Sequence, residues 1–550
     1  MSFPIYVLTS LLISAATMGL VLLARKRWMA VAAALVGATG LLLLHGPAYF
    51  HFFADDSYIS LRYARHLADG LGPNWNSEGR VEGYTNFLWM ATLAGVAKLG
   101  GDLVDSARAF GFLSLLATIV AVYLIWQLWA DDDPESGVAS PVVLAAALIG
   151  IALTDGVVFW GFSGMETPLF MALITGGAYC YLRERRGAGL VPWSAVVFAA
   201  AAMTRPEGVL AAAVTGAFVL GEALSGGDRR ARARVLFWAA VFAALYGSYF
   251  LWRYSYYGYL FPNTFYAKAG ATSAVFDRGL NYVWVYGLRY QLLALAAGVT
   301  ALLLRARLRV DAAYVLALTA VLLAEIVYEG GDGFGHGRFI VPLLPLLYLG
   351  GIAGGAVVLR RLALAPVPAA ALATAVLTLG AMSLTRASID PSLSLEERSQ
   401  ADGKELSIWL SEHTPEDYTI AAYAVGIVGY YSDRDILDLL GINDATIAHT
   451  DVSNLGAGLA GHEKYNTDYV LERARPELII AGLGEPRRLT EEQLRARLSS
   501  LADADVRSHL FTSPRVWQLY DVRAVQIGNR WFHLLQRADT VSEWQAPDLF

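Results

Sequence analysis

Residues 28–56, WMAVAAALVGATGLLLLHGPAYFHFFADD, carry the two features that decide the fold of this 550-residue chain. The run from 28 to 50 is apolar and long enough to cross a bilayer, since a spanning helix needs about 20 such residues. Two adjacent aspartates, Asp55 and Asp56, follow almost directly. Because ionisable groups at a membrane boundary are functional candidates by default, the stretch predicts a helical membrane protein with a polar site at one surface.

Similar apolar runs recur through the first 385 residues. Twelve of them predict a polytopic α-helical protein of about 11–13 transmembrane helices, at 4–23, 28–50, 106–130, 138–154, 167–182, 191–203, 209–224, 235–253, 289–306, 312–329, 339–359 and 363–384. Hydrophobic residues make up 56% of the chain and charged residues 16%. This composition excludes a disordered chain, a basic nucleic-acid-binding protein and an ordinary cytosolic enzyme. The single cysteine, Cys180, excludes a disulfide scaffold and a cysteine metal cluster.

Charge divides the chain into two predicted domains. Residues 1–385 contain 26 basic and 22 acidic residues, whereas residues 386–550 contain 16 basic and 26 acidic ones. Stretches typical of helices (399–414, 489–503) and of strands (418–426, 476–484, 529–537) mix in the second part. We therefore expect a transmembrane domain at 1–385 and a soluble α/β domain at 386–550.

Basic loops predict the orientation, because positively charged loops stay in the cytoplasm. Five basic clusters fall on one side if the segment 84–99 lies at the surface as an amphipathic or re-entrant helix. The opposite, extracytoplasmic side then receives the loops 51–105, 155–166, 204–208, 254–288 and 330–338, together with residues 386–550.

The aspartate pair has three interpretations. Two carboxylates can hold a divalent cation through oxygen ligands. One can act as general base toward a hydroxyl group. Either can cap the helix that follows, since aspartate is a favoured N-cap residue.

Four other outer segments contain residues that are costly near a membrane. In GMETP, Glu166 lies at a helix start, where the helix dipole favours a carboxylate; a contact with a sugar hydroxyl or a cation is the alternative. In TRPEG, Arg205 binds a lipid phosphate or pairs with an acid. Lys268 in the aromatic loop 254–288 is a candidate phosphate ligand. In GGDGFGHGRF, Asp332, His336 and Arg338 lie within seven residues.

Several of these strings together resemble a known family. ADDSYISLRYARHLADG (54–70) with VEGYTNFLW (81–89) is similar to the terminal arabinofuranosyltransferases of the GT-C superfamily, which use polyprenyl-phosphate sugars. The resemblance extends through GMETPLF (164–170), TRPEG (204–208), YYGYLFPNTFYAKAG (256–270), GGDGFGHGRFIVPLLP (330–345), LDLLGINDATIAHT (437–450) and GHEK (461–464). It covers most of the chain between about residue 50 and residue 465, and residues 466–550 carry no matching motif.

The resemblance implies roles for particular residues. The catalytic candidates are Asp55 as first choice of base, Asp56 as second, and His336. Lys268, Arg338 and Arg205 would bind the donor phosphate. The expected substrate-binding residues are Tyr58, Arg62, Glu82, Glu166, Asn263, Tyr266, Asp332 and His449. Further polar residues of the tail, Asn443, Asp444, His462 and Glu463, would face the cavity and help to hold the acceptor glycan, or are ordinary loop residues.

The implied reaction transfers D-arabinofuranose from a polyprenyl phosphate to a cell-envelope polysaccharide or lipoglycan, such as arabinogalactan or lipoarabinomannan. It needs no nucleotide cofactor and no nucleic acid. A divalent cation (Mg²⁺, Mn²⁺ or Ca²⁺) held by Asp56 and Glu166 would assist. The enzyme is expected to be a monomeric multi-pass protein of a bacterial plasma membrane.

Three alternatives remain open at this point. A GT-C mannosyl- or other hexosyltransferase would share the layout. A transporter or flippase for a lipid-linked sugar is disfavoured because the sequence shows no internal repeat of the kind many transporters contain. An inactive glycan-binding scaffold is disfavoured by the retained aspartate pair.

Overall fold

The computed structural model describes residues 3–540 except 188–190, 227–228, 269, 271, 363–390, 454 and 502–505. Helices fill the first 362 residues: Phe3–Leu23, Arg27–His45, Asp55–Ala68, Phe87–Lys98, Leu103–Asp132, Pro141–Leu153, Asp155–Phe162, Thr167–Glu184, Trp193–Thr204, Gly208–Gly226, Arg229–Phe242, Ser248–Tyr257, Asn263–Lys268, Ser273–Arg289, Leu292–Ala301, Arg309–Glu329 and Leu344–Arg361. The remaining helices are Pro391–His413, Val425–Ser432, Ala445–Ala448, Glu491–Ser499, Val506–Phe511 and Val516–Leu519.

Seven helices of the described ranges are long and apolar enough to cross a membrane. They are Ile5–Leu23, Arg27–Tyr49, Leu103–Asp132, Gly208–Ser225, Ala231–Tyr257, Arg309–Glu329 and Val341–Arg361. Two bent pairs raise the number to nine: Pro141–Leu153 with Asp155–Phe162, at 59°, and Ser273–Arg289 with Leu292–Leu304, at 73°. The chain is therefore a multi-pass membrane protein.

The number of spans in the described residues is lower than the twelve predicted. Thr167–Glu184, where the sequence predicts a span at 167–182, is not among the helices that are long and apolar enough to cross a membrane. The predicted spans 138–154 and 289–306 are parts of the two bent pairs. Trp193–Thr204 has only 12 residues, a rise of about 18 Å against a hydrocarbon core of about 30 Å. Phe87–Lys98 is equally short, in agreement with the surface helix expected at 84–99. The predicted span 363–384 lies outside the described residues.

The C-terminal region contains a five-stranded mixed sheet. Its strands are β1 (Thr419–Ala422), β2 (Asp435–Asp438), β3 (Leu478–Glu485), β4 (Tyr520–Ile527) and β5 (Arg530–Arg537), in the order β2-β1-β3-β5-β4. β1 pairs in parallel with β2 and β3, whereas β5 is antiparallel to β3 and β4. Because helices connect the parallel strands, the predicted α/β character is confirmed, and β2 and β4 are additional strands.

The C-terminal region packs directly on residues 51–105, here called the first loop. One apolar cluster joins Tyr63 and Trp75 of that loop to Ile420 of β1 and Phe532 of β5. The buried guanidinium of Arg62 donates hydrogen bonds to three main-chain carbonyls, one in the loop and two in the C-terminal region. The first loop thus holds the C-terminal region in place through apolar packing and these hydrogen bonds.

Candidate active site

Two neighbouring cavities meet beside the aspartate pair. The first, here called the helix cavity, has a volume of about 140 Å³ and lies among the segments that carry Glu166, Arg205 and Arg338. The second, the interdomain cavity, has a volume of about 860 Å³ and lies between the first loop and the C-terminal region. Six residues line both cavities and define their junction: Asp56, Ile59, Lys268, Asp332, Ile442 and Ala460. A molecule in one cavity could therefore react with a molecule in the other.

The two adjacent aspartates have different surroundings. Asp55 accepts hydrogen bonds from the backbone amides of Gly426 (2.9 Å) and Ile427 (2.8 Å), one on each carboxylate oxygen. Burial raises the pKa of Asp55 to about 6, although these two amides oppose the rise. Asp56 lines both cavities, and its Oδ2 lies 3.6 Å from Nη1 of Arg338. Asp55 lines the interdomain cavity alone, whereas Asp56 lines both cavities and is therefore the carboxylate of the pair that lies at the junction.

Neither aspartate caps the helix that it begins. The N-cap residue of Asp55–Ala68 is Ala54, and no side-chain capping bond is present there. The capping interpretation is thus wrong for the helix that follows the pair. Asp55 instead binds the first turn of another helix, Val425–Ser432, in the C-terminal region.

Arg338 connects Asp56 to Asp332. Its guanidinium contacts both carboxylate oxygens of Asp332, at 2.7 and 2.8 Å. Aromatic rings cover it, with the guanidinium carbon 4.9 Å from the Phe334 ring centroid and 5.1 Å from that of Phe339. Only 3% of Arg338 is exposed, so its charge acts in a poorly hydrated wall where Coulomb interactions are strong.

Arg205 forms ion pairs with carboxylates, which is one of the two roles that the sequence predicts for it. Its Nη1 donates to Glu166 Oε1 at 2.8 Å, and its Nε donates to Glu207 Oε1 at 3.1 Å. The other oxygen of Glu166 accepts a hydrogen bond from Asn86 at 2.8 Å. Arg205 and Glu166 line the helix cavity, but their charges already neutralise each other. They are less suited to phosphate and cation binding than the sequence predicts.

Lys268 is differently placed. It is the last residue of the short helix Asn263–Lys268 and lines both cavities. Among the described residues, no carboxylate lies within 4.0 Å of its ammonium group. Its positive charge is therefore available to an anion at the junction.

His336 lies away from the junction and lines neither cavity. Its ring stacks on Phe159 with 4.1 Å between centroids, and its Nδ1 is 2.7 Å from Asp155 Oδ2. Its backbone is left-handed, with φ of +57°, and this turn directs the ring into the protein instead of toward Asp56. These contacts hold His336 outside the lining of both cavities, and its catalytic role stays a prediction.

Six of the predicted substrate-binding residues also lie outside the lining of both cavities: Tyr58, Arg62, Glu82, Asn263, Tyr266 and His449. Most of them join the first loop or the loop 254–288 to neighbouring segments. Glu82 forms a buried bidentate pair with Arg253. The side-chain amide of Asn263 donates to the carbonyls of Gly441 and Ile442, at 2.8 and 2.9 Å.

The remaining members of this group make aromatic contacts. The ring of Tyr266 lies 4.3 Å from that of His449, and Tyr58 lies 5.5 Å from Tyr430. Asp332 and Glu166 are the two predicted substrate-binding residues that do line the helix cavity.

Of the four further polar residues predicted in the C-terminal region, one lines a cavity and three do not. His462 lines the interdomain cavity. Asn443 and Asp444 hold their own loop, the latter as the N-cap of Ala445–Ala448. Glu463 pairs with Arg278 at 3.0 Å.

An acidic cluster beside Arg205 was not predicted. One carboxylate oxygen from each of Glu207, Glu325 and Glu329 lies within 4.8 Å of the others. Glu329 lines the helix cavity. The signal was present in the sequence, because Glu325 and Glu329 interrupt an otherwise apolar span. The predicted cation ligands Asp56 and Glu166 are not members of this cluster.

Comparisons with known proteins support the resemblance. Residues 391–534 match a family described as "Domain of unknown function (DUF8728)". The terminal β-(1→2)-arabinofuranosyltransferase of Mycobacterium tuberculosis is 30% identical over 296 residues, which cover 50% of this chain and 44% of that protein. The enzyme of the same name from Corynebacterium glutamicum is 29% identical over 334 residues, 54% of this chain and 46% of that protein. The matched part thus spans less than half the length of these relatives.

One solved structure has the same fold over nearly the whole length. ArnT from Cupriavidus metallidurans, bound to undecaprenyl phosphate, superimposes with a TM-score of 0.55 at 11% identity, covering 94% of this chain and 99% of ArnT. The chain therefore shares the fold of ArnT and is distantly homologous, over about half of its length, to the two terminal arabinofuranosyltransferases.

Proposed function

We propose that this chain transfers a sugar, D-arabinofuranose, from a polyprenyl phosphate donor to a hydroxyl group of a cell-envelope glycan. The observation that carries the proposal is the junction, where the helix cavity and the interdomain cavity meet at Asp56 and Lys268. A two-substrate transfer needs such a meeting point, with a proton acceptor and a positive charge beside it. The names of the two homologous enzymes support the sugar.

The helix cavity is the proposed donor site. Apolar side chains such as Phe261, Phe265 and Met165 line part of it and suit a lipid-linked substrate, while Lys268 and Arg338 suit its phosphate. The undecaprenyl phosphate in the structure of ArnT is a ligand of the same chemical class.

The interdomain cavity is the proposed acceptor site. Its volume is about six times that of the helix cavity, which leaves room for a segment of glycan chain. His462 and Tyr423 of the C-terminal region line it and can form hydrogen bonds or stacking contacts with a sugar.

Asp56 is the proposed base. It would accept the proton of the acceptor hydroxyl while the hydroxyl oxygen bonds to C1 of the donor sugar. The bond between C1 and the phosphate oxygen breaks, and polyprenyl phosphate leaves with the bonding electron pair. Lys268 would stabilise the charge that develops on this phosphate, and Arg338 would do so from behind Asp56.

The proposal does not use a cation held by Asp56 and Glu166. Glu166 is bound to Arg205 and Asn86, and Asp56 faces Arg338. A metal ion between these two carboxylates would have to displace the arginine contacts. Lys268 and Arg338 would provide the charge neutralisation that such an ion would otherwise provide.

The site is proposed to face the extracytoplasmic side of a bacterial plasma membrane, with residues 386–550 as a separate domain on that side and the chain acting as a monomer. To test the side, Asp433→Cys can be made in a Cys180→Ala background. Asp433 is exposed on the C-terminal region. An impermeant thiol reagent should label it in intact cells; labelling only after lysis would reverse the orientation.

The function is tested with purified protein in liposomes, a radiolabelled polyprenyl-phosphate-arabinofuranose and a short arabinan. We expect transfer by the wild type and a loss of about 10²–10⁴-fold in Asp56→Asn, the range of general base catalysis. Transfer only from polyprenyl-phosphate-mannose would make the protein a mannosyltransferase. Movement of the donor across the bilayer without any product would make it a flippase.

A further inference from the structure

We propose that Asp55 is a positioning residue that holds the C-terminal region against the first loop and so shapes the acceptor cavity, while its neighbour Asp56 performs the chemistry. This inference rests on the proposed function for its acceptor but on the structure alone for the contact. It assigns separate tasks to two identical adjacent side chains.

The contact joins two helix N-termini. Asp55 is the first residue of Asp55–Ala68, and its carboxylate accepts hydrogen bonds from the first turn of Val425–Ser432. Helix N-termini carry partial positive charge, so two of them repel each other when they meet. One carboxylate between them removes the repulsion and satisfies two amide groups that the second helix leaves unpaired.

Gly426 provides an independent sign that this approach is close. A side chain at position 426 would collide with the main-chain carbonyl oxygen of Asp55. The backbone of Val425–Ser432 therefore packs directly on the residue that binds it. A further hydrogen bond joins the first loop to the C-terminal region across this interface, here called the seam. It runs from the Phe53 amide to Gln400 Oε1 at 3.2 Å.

The bound helix forms part of the acceptor cavity wall. Val425 and Val428 on this helix, and Tyr423 and Ala424 just before it, line the interdomain cavity. If the helix moved, that wall would move with it. The helix cavity contains none of these four residues. The contact at Asp55 should thus affect binding of the acceptor and leave binding of the donor unchanged.

The test uses Asp55→Ala, Asp55→Asn and Gly426→Ala in the reconstituted transfer assay. Asp55→Ala removes both acceptors, whereas asparagine keeps one. Gly426→Ala disturbs the same contact without changing a charge. We expect the acceptor KM to rise about tenfold or more in Asp55→Ala and in Gly426→Ala, and less in Asp55→Asn, with the donor KM unchanged. In Asp56→Asn, kcat should fall instead.

Asp435→Ala is the matched control. Asp435 also accepts hydrogen bonds across the seam, from the amide of Ser77 at 2.9 Å and from its hydroxyl at 2.5 Å. It lines neither cavity. Its acceptor KM should stay at the wild-type value. An equal rise of the acceptor KM in Asp435→Ala would mean that the loss of any contact between the first loop and the C-terminal region has this effect. That outcome overturns a special role for Asp55.

A fall in kcat with an unchanged acceptor KM in Asp55→Ala would make Asp55 catalytic and refute the proposal. Amide hydrogen exchange measures the contact without turnover. The amides of Gly426 and Ile427 should lose protection in Asp55→Ala, while protection in Leu103–Asp132 shows that the protein is folded. Unchanged protection at 426 and 427 also refutes the proposal. If the wild type transfers no sugar, the proposed function fails, and the exchange result still decides the contact.

Discussion

Lys268→Gln should weaken binding of the donor phosphate specifically. Glutamine keeps much of the length and polarity of lysine and removes its charge. Lys268 lines both cavities at the junction, and no described carboxylate lies within 4.0 Å of its ammonium group. Lys268 interacts with Glu329 through a longer-range Coulomb interaction, but it forms no ion pair among the described residues, so its replacement should leave the fold intact.

The size of the effect follows from the type of contact. A hydrogen bond to a charged group contributes about 1.5–3 kcal/mol. Because 1.36 kcal/mol corresponds to a factor of ten, kcat/KM for the donor should fall by about 10- to 150-fold. Part of this loss should appear in kcat, since the phosphate gains charge as the bond to the sugar breaks.

The assay compares transfer and product inhibition in the reconstituted protein. Undecaprenyl phosphate should inhibit Lys268→Gln less strongly than the wild type, whereas the uncharged undecaprenol should inhibit both equally. Lys98→Gln is the control, because Lys98 is an exposed residue at the end of Phe87–Lys98. Equal loss of sensitivity to both lipids would indicate a distorted cavity. Unchanged kinetics in Lys268→Gln would refute the assignment of the phosphate site.

Three further outcomes are expected. Glu82→Ala leaves Arg253 buried without its partner and should destabilise the fold by about 3–5 kcal/mol, seen as a lower melting temperature with unchanged KM values. His336→Ala loses the contact with Asp155 and should lower the melting temperature while kcat of the folded protein stays near that of the wild type. Acidification from pH 7 to pH 5 should not raise the acceptor KM through Asp55. Burial raises the pKa of Asp55 to about 6, so the arrangement that buries this carboxyl binds the proton more tightly than one in which the carboxyl is exposed. A rise in acceptor KM that Asp55→Asn abolishes would refute this reasoning. Because its pKa is raised, Asp55 binds this proton more tightly in the folded protein than in the unfolded chain. The contribution of Asp55 to the free energy of unfolding therefore increases as the pH falls from about 6 to 4. Global unfolding at pH 5 would contradict the explanation.

The secondary structure was largely predictable because hydrophobic runs and periodicity are local properties. The helix that follows Asp55, the short surface helix at 87–98 and the strands β1, β3 and β5 lie where the sequence predicts them. The broken spans were missed because an apolar window cannot reveal a bend. One break falls at Thr154, for example, whose hydroxyl donates to the Gly150 carbonyl and contacts the hydroxyl of the distant Tyr348.

The partners of the polar residues could not be predicted, because they are separated by long stretches of chain. Arg62 lies in a promising motif, yet its guanidinium binds carbonyls more than 360 residues away. His336 lies two residues from Arg338, but a left-handed backbone turns the two side chains toward different neighbours. The sequence motifs therefore predict which segments lie at the junction, whereas tertiary packing determines which of their side chains line it.

A cation that already forms an ion pair with a carboxylate is less able to hold the donor phosphate than a cation without such a pair. Three cations line the helix cavity: Arg205, Lys268 and Arg338. Arg205 is neutralised by two carboxylates, and Arg338 is bound to both oxygens of Asp332. An incoming phosphate must compete with these acids for either arginine, whereas Lys268 forms no ion pair among the described residues. Lys268 is then the cation most available to the phosphate, with Arg338 in support. Arg205 is best understood as the group that orients Glu166 and Glu207, so that replacing Arg205 should cost stability before it costs affinity for the donor.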